Sequence, residues 1–169
     1  MRIALLSDTH NNLHNIQSAL SKLKELKVDT IIHCGDMTRD ETAEAFHDFC
    51  IHHVLGNGDM DTFGLQMAIQ ECRPGSSSGE IYTATLDGKS IAAIHGHNLP
   101  LYRSLTENGR YDYVFHGHTH RLRDERIGKT RVINPGALGG AVRGERSFCV
   151  LELSTGDLSV YPVETRWSP

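Results

Sequence analysis

Short apolar runs alternate with amphipathic segments in the first third of the chain. Leucine and isoleucine recur every three or four residues from Leu13 to Leu26, which predicts an amphipathic helix beginning near Asn12. A second, shorter helix is predicted by Ala43, Phe46, Phe49 and Cys50. The short apolar runs predict strands at Arg2–Leu6, Thr30–His33 and His53–Leu55. This strand–helix order predicts a parallel sheet with right-handed crossovers.

The rest of the chain is richer in turn signals. Arg73–Gly79 has the glycine, serine and proline content of a loop, Asp87-Gly88 predicts a two-residue hairpin, and Pro100–Leu105 predicts a short helix. Further strands are predicted at Ile81–Leu86, Ser90–Ile94, Tyr113–Phe115, Leu122–Ile127, Thr130–Ile133, Ser147–Leu153 and Leu158–Tyr161. We therefore expect antiparallel hairpins in a second sheet. The predicted fold class is α/β, a two-sheet β-sandwich flanked by helices, in a single domain over residues 1–169.

Composition narrows the function classes. The formal net charge of −4 gives no electrostatic surface for nucleic acid or an anionic membrane. The four cysteines form no Cys-x-x-Cys pair, so we expect them to be reduced. The sequence has neither a signal-like segment nor an apolar stretch of membrane-spanning length, and the cytoplasm is the expected location. Homo-oligomer formation is left open.

Metal-binding side chains follow the predicted strands. Ligands bind beyond the carboxyl ends of strands in open α/β sheets, so side chains placed there should converge on one crevice. A pair of divalent metal ions needs such a concentration of oxygen and imidazole donors. The candidate metal ligands are Asp8, His10, Asp36, Asn57, His95, His118 and His120.

Each short motif also has a simpler interpretation. Asp8 and His10 would point the same way in an extended segment, but Asp8-Thr9 could equally cap the following helix. Gly35-Asp36 alone is more typical of an ordinary strand-to-helix turn. Asn57-Gly58 is a common turn sequence, in which Asp59 would be solvated.

The histidine clusters are more specific. His95-Gly96-His97 has few structural uses, although His95 could close a core strand and His97 could lie on the surface. In an extended Gly117–His120 segment, His118 and His120 would share one face and could bind different ions. The remaining histidines are expected on helix surfaces or a connection, namely His14, His47, His52 and His53. His33 is expected inside the second strand or supporting Asp36.

The ordered motifs together resemble the calcineurin-like metallophosphoesterase superfamily, in particular its small prokaryotic phosphodiesterases. They are Asp8-x-His10, Gly35-Asp36, Gly56-Asn57-x-Asp59, His95 and Gly117-His118-x-His120, with Asn134-Pro135-Gly136 as a further match and candidate crevice wall. The resemblance implies one metal held by Asp8, His10, Asp36 and His120. It implies a second held by Asp36, Asn57, His95 and His118, with Asp36 shared. A hydroxide bridging the two metals would attack phosphorus in line. Manganese is the expected metal, with nickel, iron and zinc as alternatives.

Two positions depart from the superfamily pattern. Gly58 stands where a histidine thought to protonate the leaving oxygen usually lies, and Ala137 stands where relatives often have serine. His97 is the nearest substitute acid by sequence. The implied catalytic residues are therefore Asp36, Asn57 and His97.

The implied function is hydrolysis of a small or nucleotide-like phosphodiester. A phosphomonoesterase would need additional arginine or lysine near the metals, and Arg39 and Arg143 are the candidates. A non-catalytic interaction scaffold of the same fold is the other alternative, and the intact set of ligand residues argues against it.

Overall fold

Two β-sheets packed face to face form the centre of the protein, in a computed structural model that describes residues 1–141 and 144–164. The helices are α1 Leu13–Leu26, α2 Thr62–Gln70 and α3 Leu99–Glu107, with a 3₁₀ helix at Asp40–Phe46. The strands are β1 Arg2–Leu6, β2 Thr30–His33, β3 Cys50–Val54, β4 Ser77–Gly79, β5 Ile81–Leu86, β6 Lys89–Ile94, β7 Tyr113–Phe115, β8 Leu122–Ile127, β9 Thr130–Pro135, β10 Arg146–Glu152 and β11 Leu158–Val163.

The first sheet has the strand order β11-β10-β1-β2-β3-β4. Strands β1 to β4 are parallel to one another, whereas β10 pairs antiparallel with β1 and β11 pairs antiparallel with β10. The second sheet has the order β5-β6-β7-β9-β8, with parallel β6, β7 and β9 between two antiparallel edge strands. The parallel strands of each sheet direct their carboxyl ends to one edge, which is where the candidate ligands follow.

Alternating side chains on each sheet build three apolar layers. In β1, Ala4 and Leu6 pack under α1 in one cluster, while Ile3 and Leu5 face the second sheet in another. A third cluster lies between the second sheet and α3 and includes Leu105. Because both faces of each sheet are covered, the inner strands are apolar throughout rather than alternating. The resulting order is helices, sheet, sheet, helix, as expected from the sequence.

The second sheet and the end of the chain differ from the sequence expectation. Strands β10 and β11 join the first sheet rather than the second, and the second sheet has a parallel centre. Phe148 faces the helices and Cys149 faces the other sheet, so β10 is buried on both faces like β1. Hydrophobic periodicity predicts that a strand is buried but not which sheet it joins.

Four local features also differ from the sequence expectation. The predicted second helix is a 3₁₀ helix that ends at Phe46, because Cys50 already pairs with Thr30 as the first residue of β3. Helix α2 was not predicted, and the predicted loop at Arg73–Gly79 contains β4. His52 and His53 lie within β3 rather than on a helix or a connection.

Candidate metal centre

Side chains from the carboxyl ends of both sheets meet in one place. Asp8 and His10 follow β1, Asp36 follows β2, and His95 follows β6. His120, beyond β7, brings its Nε2 atom to 3.1 Å from Asp8 Oδ1 and 3.3 Å from His10 Nε2. On the other side, Asp36 Oδ1 is 3.4 Å from His95 Nε2, and Asp36 Oδ2 is 3.7 Å from His10 Nε2.

The donor atoms form two sets that could each hold a metal ion. Asp8, His10 and His120 form one set, and Asp8, Asp36 and His95 form the other. Within each set the donor atoms lie within 4.8 Å of one another, and Asp8 belongs to both. The two sets are joined by the short distance between His10 and Asp36.

The remaining predicted site residues lie around these sets. The ring of His118 is 5.2 Å, centroid to centroid, from that of His95, and both rings are within 6.3 Å of His97. His97 and His118 are exposed. Asn57 is exposed on the turn after β3, next to Gly58, whose N–H donates to Asp36 Oδ1 at 2.7 Å. The structure thus brings five of the seven predicted ligands into the two donor sets and places His118 and His97 next to His95. Asn57 is connected to the sets only through the contact of the adjacent Gly58 with Asp36.

The sequence suggested that the ligand segments would be extended. Their backbone in the structure is not extended. Five ligand residues have positive φ, namely Asp8, His10, Asp36, His118 and His120, at 51°, 42°, 57°, 66° and 57°. Side chains with this left-handed backbone are uncommon and concentrate at functional sites. The pairs Asp8/His10 and His118/His120 therefore reach the crevice through turns and not through strand alternation.

Hydrogen bonds leave donor atoms directed into the crevice. Asp8 Oδ2 accepts from Ser7 Oγ and from the backbone N–H of His118, at 2.6 and 3.1 Å. His95 Nδ1 donates to the carbonyl of Cys34 at 2.7 Å, which leaves the Nε2 lone pair for a metal. Asp8 Oδ1 and His95 Nε2 are buried and have no hydrogen-bond partner among the described residues. Buried polar atoms without partners are costly, so this donor chemistry fits divalent ions.

Electrostatics favours the protonation states of metal ligands. Burial lowers the pKa of His10, His95 and His120, so these imidazoles are neutral near pH 7. Burial also raises the pKa of Asp8 to about 6. A nearby cation would stabilise this carboxylate in its charged form.

Close approach of the backbone is built into the site. A Cβ atom on Gly117 would lie 1.8 Å from Ser7 Oγ and 2.7 Å from Asp8 Oδ2, so a larger residue there would push into a ligand. Asn134 is fully buried, and its Nδ2 donates to the carbonyl of Gly117 at 2.8 Å and to Thr119 Oγ1 at 3.1 Å. The Asn134-Pro135-Gly136 segment therefore braces the loop that carries His118 and His120.

Several residues around the candidate metal centre were not predicted from the sequence. Asp59 is buried rather than solvated, and His53 is a buried neighbour of it. Arg146 is 5% exposed, contributes positive charge near His10 and His120, and donates to the carbonyl of Gly140 at 2.8 Å. No local motif marks an arginine at the start of β10 as part of the site. Of the two arginines named as candidates for a phosphomonoesterase, Arg39 is exposed, and Arg143 lies outside the described residues.

The histidines assigned to the surface divide into two groups. His14 and His47 are exposed, as expected. His52 stacks on Tyr82 with ring centroids 4.2 Å apart. His33 is fully buried at the end of β2, as expected.

Among the described residues, no helix has the length and apolar character needed to cross a membrane.

Comparison with known proteins identifies relatives over nearly the whole chain. Residues 1–156 match the sequence profile of the calcineurin-like phosphoesterase superfamily domain. A phosphodiesterase of Methanocaldococcus jannaschii is 28% identical over 154 residues, covering 90% of this chain and 93% of that protein. A solved archaeal phosphodiesterase superposes with a TM-score of 0.91 at 27% identity, covering 96% of this chain and 100% of that one. Vps29 of Entamoeba histolytica, solved with Zn²⁺, shares the fold at 21% identity, with a TM-score of 0.69 over 96% of this chain and 91% of that one.

Proposed function

Because the chain belongs to the calcineurin-like phosphoesterase superfamily, we propose that it is a metal-dependent phosphodiesterase acting on small or nucleotide-like phosphodiesters. The observation that carries the proposal is the pair of donor sets at the strand ends, with unpartnered buried atoms on Asp8 and His95. The names of the phosphodiesterase relatives support diesters as the substrate class.

The proposed ligands divide between two divalent ions. Asp8, His10, Asp36 and His120 would hold one ion, and Asp36, Asn57, His95 and His118 would hold the other, with Asp36 common to both. Mn²⁺ is the proposed metal because the set mixes carboxylate and amide oxygens with imidazoles, and Ni²⁺, Fe²⁺ and Zn²⁺ suit similar donors. When bound, such a pair supplies activation of water and charge to offset that developing on the phosphoryl oxygens.

The side chains of the protein then have distinct tasks. Asp8 and Asp36 supply negative charge that fixes the cations, and neutral imidazoles complete each site. His97 is the proposed general acid, since it is exposed at the crevice and contacts the rings of His95 and His118. Gly58 leaves the usual position of that acid open.

Metal content and substrate choice test the proposal together. Protein reconstituted with Mn²⁺ should contain two ions per chain and should hydrolyse bis(p-nitrophenyl) phosphate much faster than p-nitrophenyl phosphate. The Asp36→Ala variant should lose both ions and the activity. A stoichiometry of one or less in the wild type would contradict the shared site.

The outcome also separates the alternatives. Preference for the monoester would favour a phosphomonoesterase. Two bound ions with no hydrolysis of either ester would favour a non-catalytic interaction protein. The fold alone does not argue against that role, because Vps29 has the same fold.

A further inference from the structure

Two buried histidines lie side by side at the ends of β2 and β3. His33 and His53 are register partners in the parallel pair, and their ring centroids are 5.3 Å apart. They are 0% and 1% exposed. Neither belongs to a donor set for metal within the part of the chain that the structure describes. Buried imidazoles need specific partners, and here the partners lie in the loops that carry the candidate ligands.

His33 joins the first two ligand loops. Its Nδ1 accepts from the backbone N–H of Gly35 at 3.3 Å, so its Nε2 carries the proton and donates to Thr9 Oγ1 at 3.2 Å. Thr9 lies between Asp8 and His10, and Gly35 precedes Asp36. One imidazole therefore links the backbone positions of three proposed ligands.

His53 braces the second and third ligand loops through Asp59. Its Nε2 is 3.5 Å from Asp59 Oδ2, a polar contact without hydrogen-bond geometry, and its Nδ1 is 2.9 Å from Ser78 Oγ on β4. The Asp59 carboxylate accepts backbone N–H groups from Gly56, Asp36 and Thr38, at 2.7, 3.1 and 2.7 Å. A single buried carboxylate thus fixes the loop of Asp36 and the turn that carries Asn57.

These bonds explain how unusual backbone conformations persist. Asp8, His10, Asp36 and Thr38 all have positive φ, and such conformations survive where the surroundings over-determine them. We propose that His33 and His53 are positioning residues that hold the loops of Asp8, His10, Asp36 and Asn57 in the metal-binding conformation. The inference rests on the proposed metal-dependent function, but metal affinity tests it without any assay of hydrolysis.

Leucine replacements remove the bonds while keeping buried volume. In His33→Leu and His53→Leu we expect Mn²⁺ affinity, measured by calorimetry, to fall about 10–100-fold, the usual loss when groups supporting metal ligands are removed. At saturating Mn²⁺ the kcat for bis(p-nitrophenyl) phosphate should recover to within a few-fold, because neither histidine is placed against substrate. The matched control is His14→Leu on the exposed face of α1, which should keep wild-type affinity.

Conservative variants separate positioning from packing. Glutamine places an amide N–H near the position of Nε2, so His33→Gln and His53→Gln should recover most of the affinity lost in the leucine variants. Thr9→Val removes only the acceptor for His33. If the His33–Thr9 bond transmits the effect, Thr9→Val and His33→Leu combined should weaken Mn²⁺ binding no more than His33→Leu alone.

Three outcomes would overturn the inference. These are wild-type affinity in both leucine variants, no difference between leucine and glutamine, or full additivity with Thr9→Val. Wild-type protein that binds two ions without hydrolysing any ester would instead contradict the proposed function and leave the positioning role intact. If a leucine variant does not fold, the glutamine and Thr9→Val variants still decide the question.

Discussion

At the scale of single residues, the candidate site combines donor atoms with an unfavourable backbone. Left-handed conformations at non-glycine residues cost on the order of 1 kcal/mol each. Five proposed ligands adopt them. The same turns bring the donor atoms within a few ångströms of one another. The strained backbone therefore creates a site that could hold a cation.

The ligands should be separable from the other histidines by mutation. We expect Asp36→Ala and His118→Ala to reduce diester hydrolysis by more than about 10²-fold, because each removes a proposed ligand. His14→Ala and His47→Ala should change it less than about twofold, since both side chains are exposed outside the crevice. Steady-state kinetics at saturating Mn²⁺ provides the measurement. Similar losses in both pairs would mean that the wrong histidines have been assigned to the metals.

The His97→Ala variant tests the proposed general acid. Proton donation to the leaving oxygen is typically worth about 10²–10⁴-fold, and it matters most for poor leaving groups. We therefore expect alkyl diesters to be slowed about 10²-fold or more and p-nitrophenyl diesters only a few-fold, at unchanged metal content. Equal slowing of both substrates would show that His97 orients substrate rather than donating a proton.

The Gly58→His variant should not simply restore the missing acid. Gly58 does not have a positive φ, so the backbone itself permits a side chain. A Cβ atom there would, however, lie 3.0–3.2 Å from three atoms of the Asp36 carboxyl group. We expect Gly58→His and the smaller Gly58→Ala both to weaken Mn²⁺ binding in calorimetric titrations. Wild-type affinity in Gly58→Ala would show that the carboxylate can adjust.

At the scale of elements, α2 and the residues just before it carry exposed apolar side chains, in the segment that follows the turn of Asn57. Met60 and Phe63 are 86% and 72% exposed, and Met67, one turn beyond Phe63, is 47% exposed. The turn of Asn57 and Gly58 leads directly into this segment, and the N–H of Met60 donates to the carbonyl of Gly58 at 3.1 Å. Exposed apolar side chains grouped in this way commonly mark binding surfaces.

We expect Phe63 to contact an aromatic substituent of a bound diester. Phe63→Ala should raise the KM for a diaryl diester about threefold to tenfold, as expected for loss of one aromatic contact, and should leave kcat unchanged. The KM for a methyl aryl diester should change less. Leu13→Ala, at a 49% exposed leucine on α1, is the control. An unchanged KM together with a changed oligomeric state would assign the face to a protein interface.

The elements also show what the sequence could predict. The strand ends and the candidate ligands that follow them were predictable, because β1, β2, β6 and β7 are short apolar runs followed directly by polar donors. Helix α2 was not predictable, since Phe63 and Met67 place apolar residues on its exposed face and so obscure the helical pattern of apolar and polar positions. His53 and Arg146 contribute through contacts between a strand and its adjoining loop, with Asp59 and Gly140, and no local sequence motif marks such contacts.

At the scale of the whole molecule, the fold buries the carboxyl group of Asp8 at a position where a nearby cation would be needed to make its charged form favourable. Burial raises the pKa of Asp8 from the ordinary 3.8 to about 6, a difference worth about 3 kcal/mol. Without metal, the folded state binds the Asp8 proton more tightly than the unfolded state. This residue therefore lowers the free energy of unfolding progressively as pH rises from about 4 to about 6, and the full loss persists at higher pH.

The Asp8→Asn variant should expose this trade between stability and function. In EDTA at pH 7.5 we expect its free energy of unfolding to exceed that of the wild type by about 1–3 kcal/mol. The amide oxygen can still accept from Ser7 and from the N–H of His118, so the hydrogen bonds of Oδ2 survive. The gain should shrink as pH falls through 6 and disappear below about pH 3, where Asp8 is protonated in both states. The histidine contributions to stability are common to both proteins and largely cancel in the comparison. In Mn²⁺ the order should reverse, because a ligand at about 1,000 times its Kd stabilises the wild type by about 4.1 kcal/mol and the variant has lost a ligand. Urea denaturation of both proteins at both pH values, in EDTA and in Mn²⁺, measures these free energies of unfolding. A gain in the free energy of unfolding that is independent of pH would contradict the proposed cost of burying the Asp8 carboxylate. A variant still stabilised by Mn²⁺ as strongly as the wild type would show that metal binding does not offset that cost.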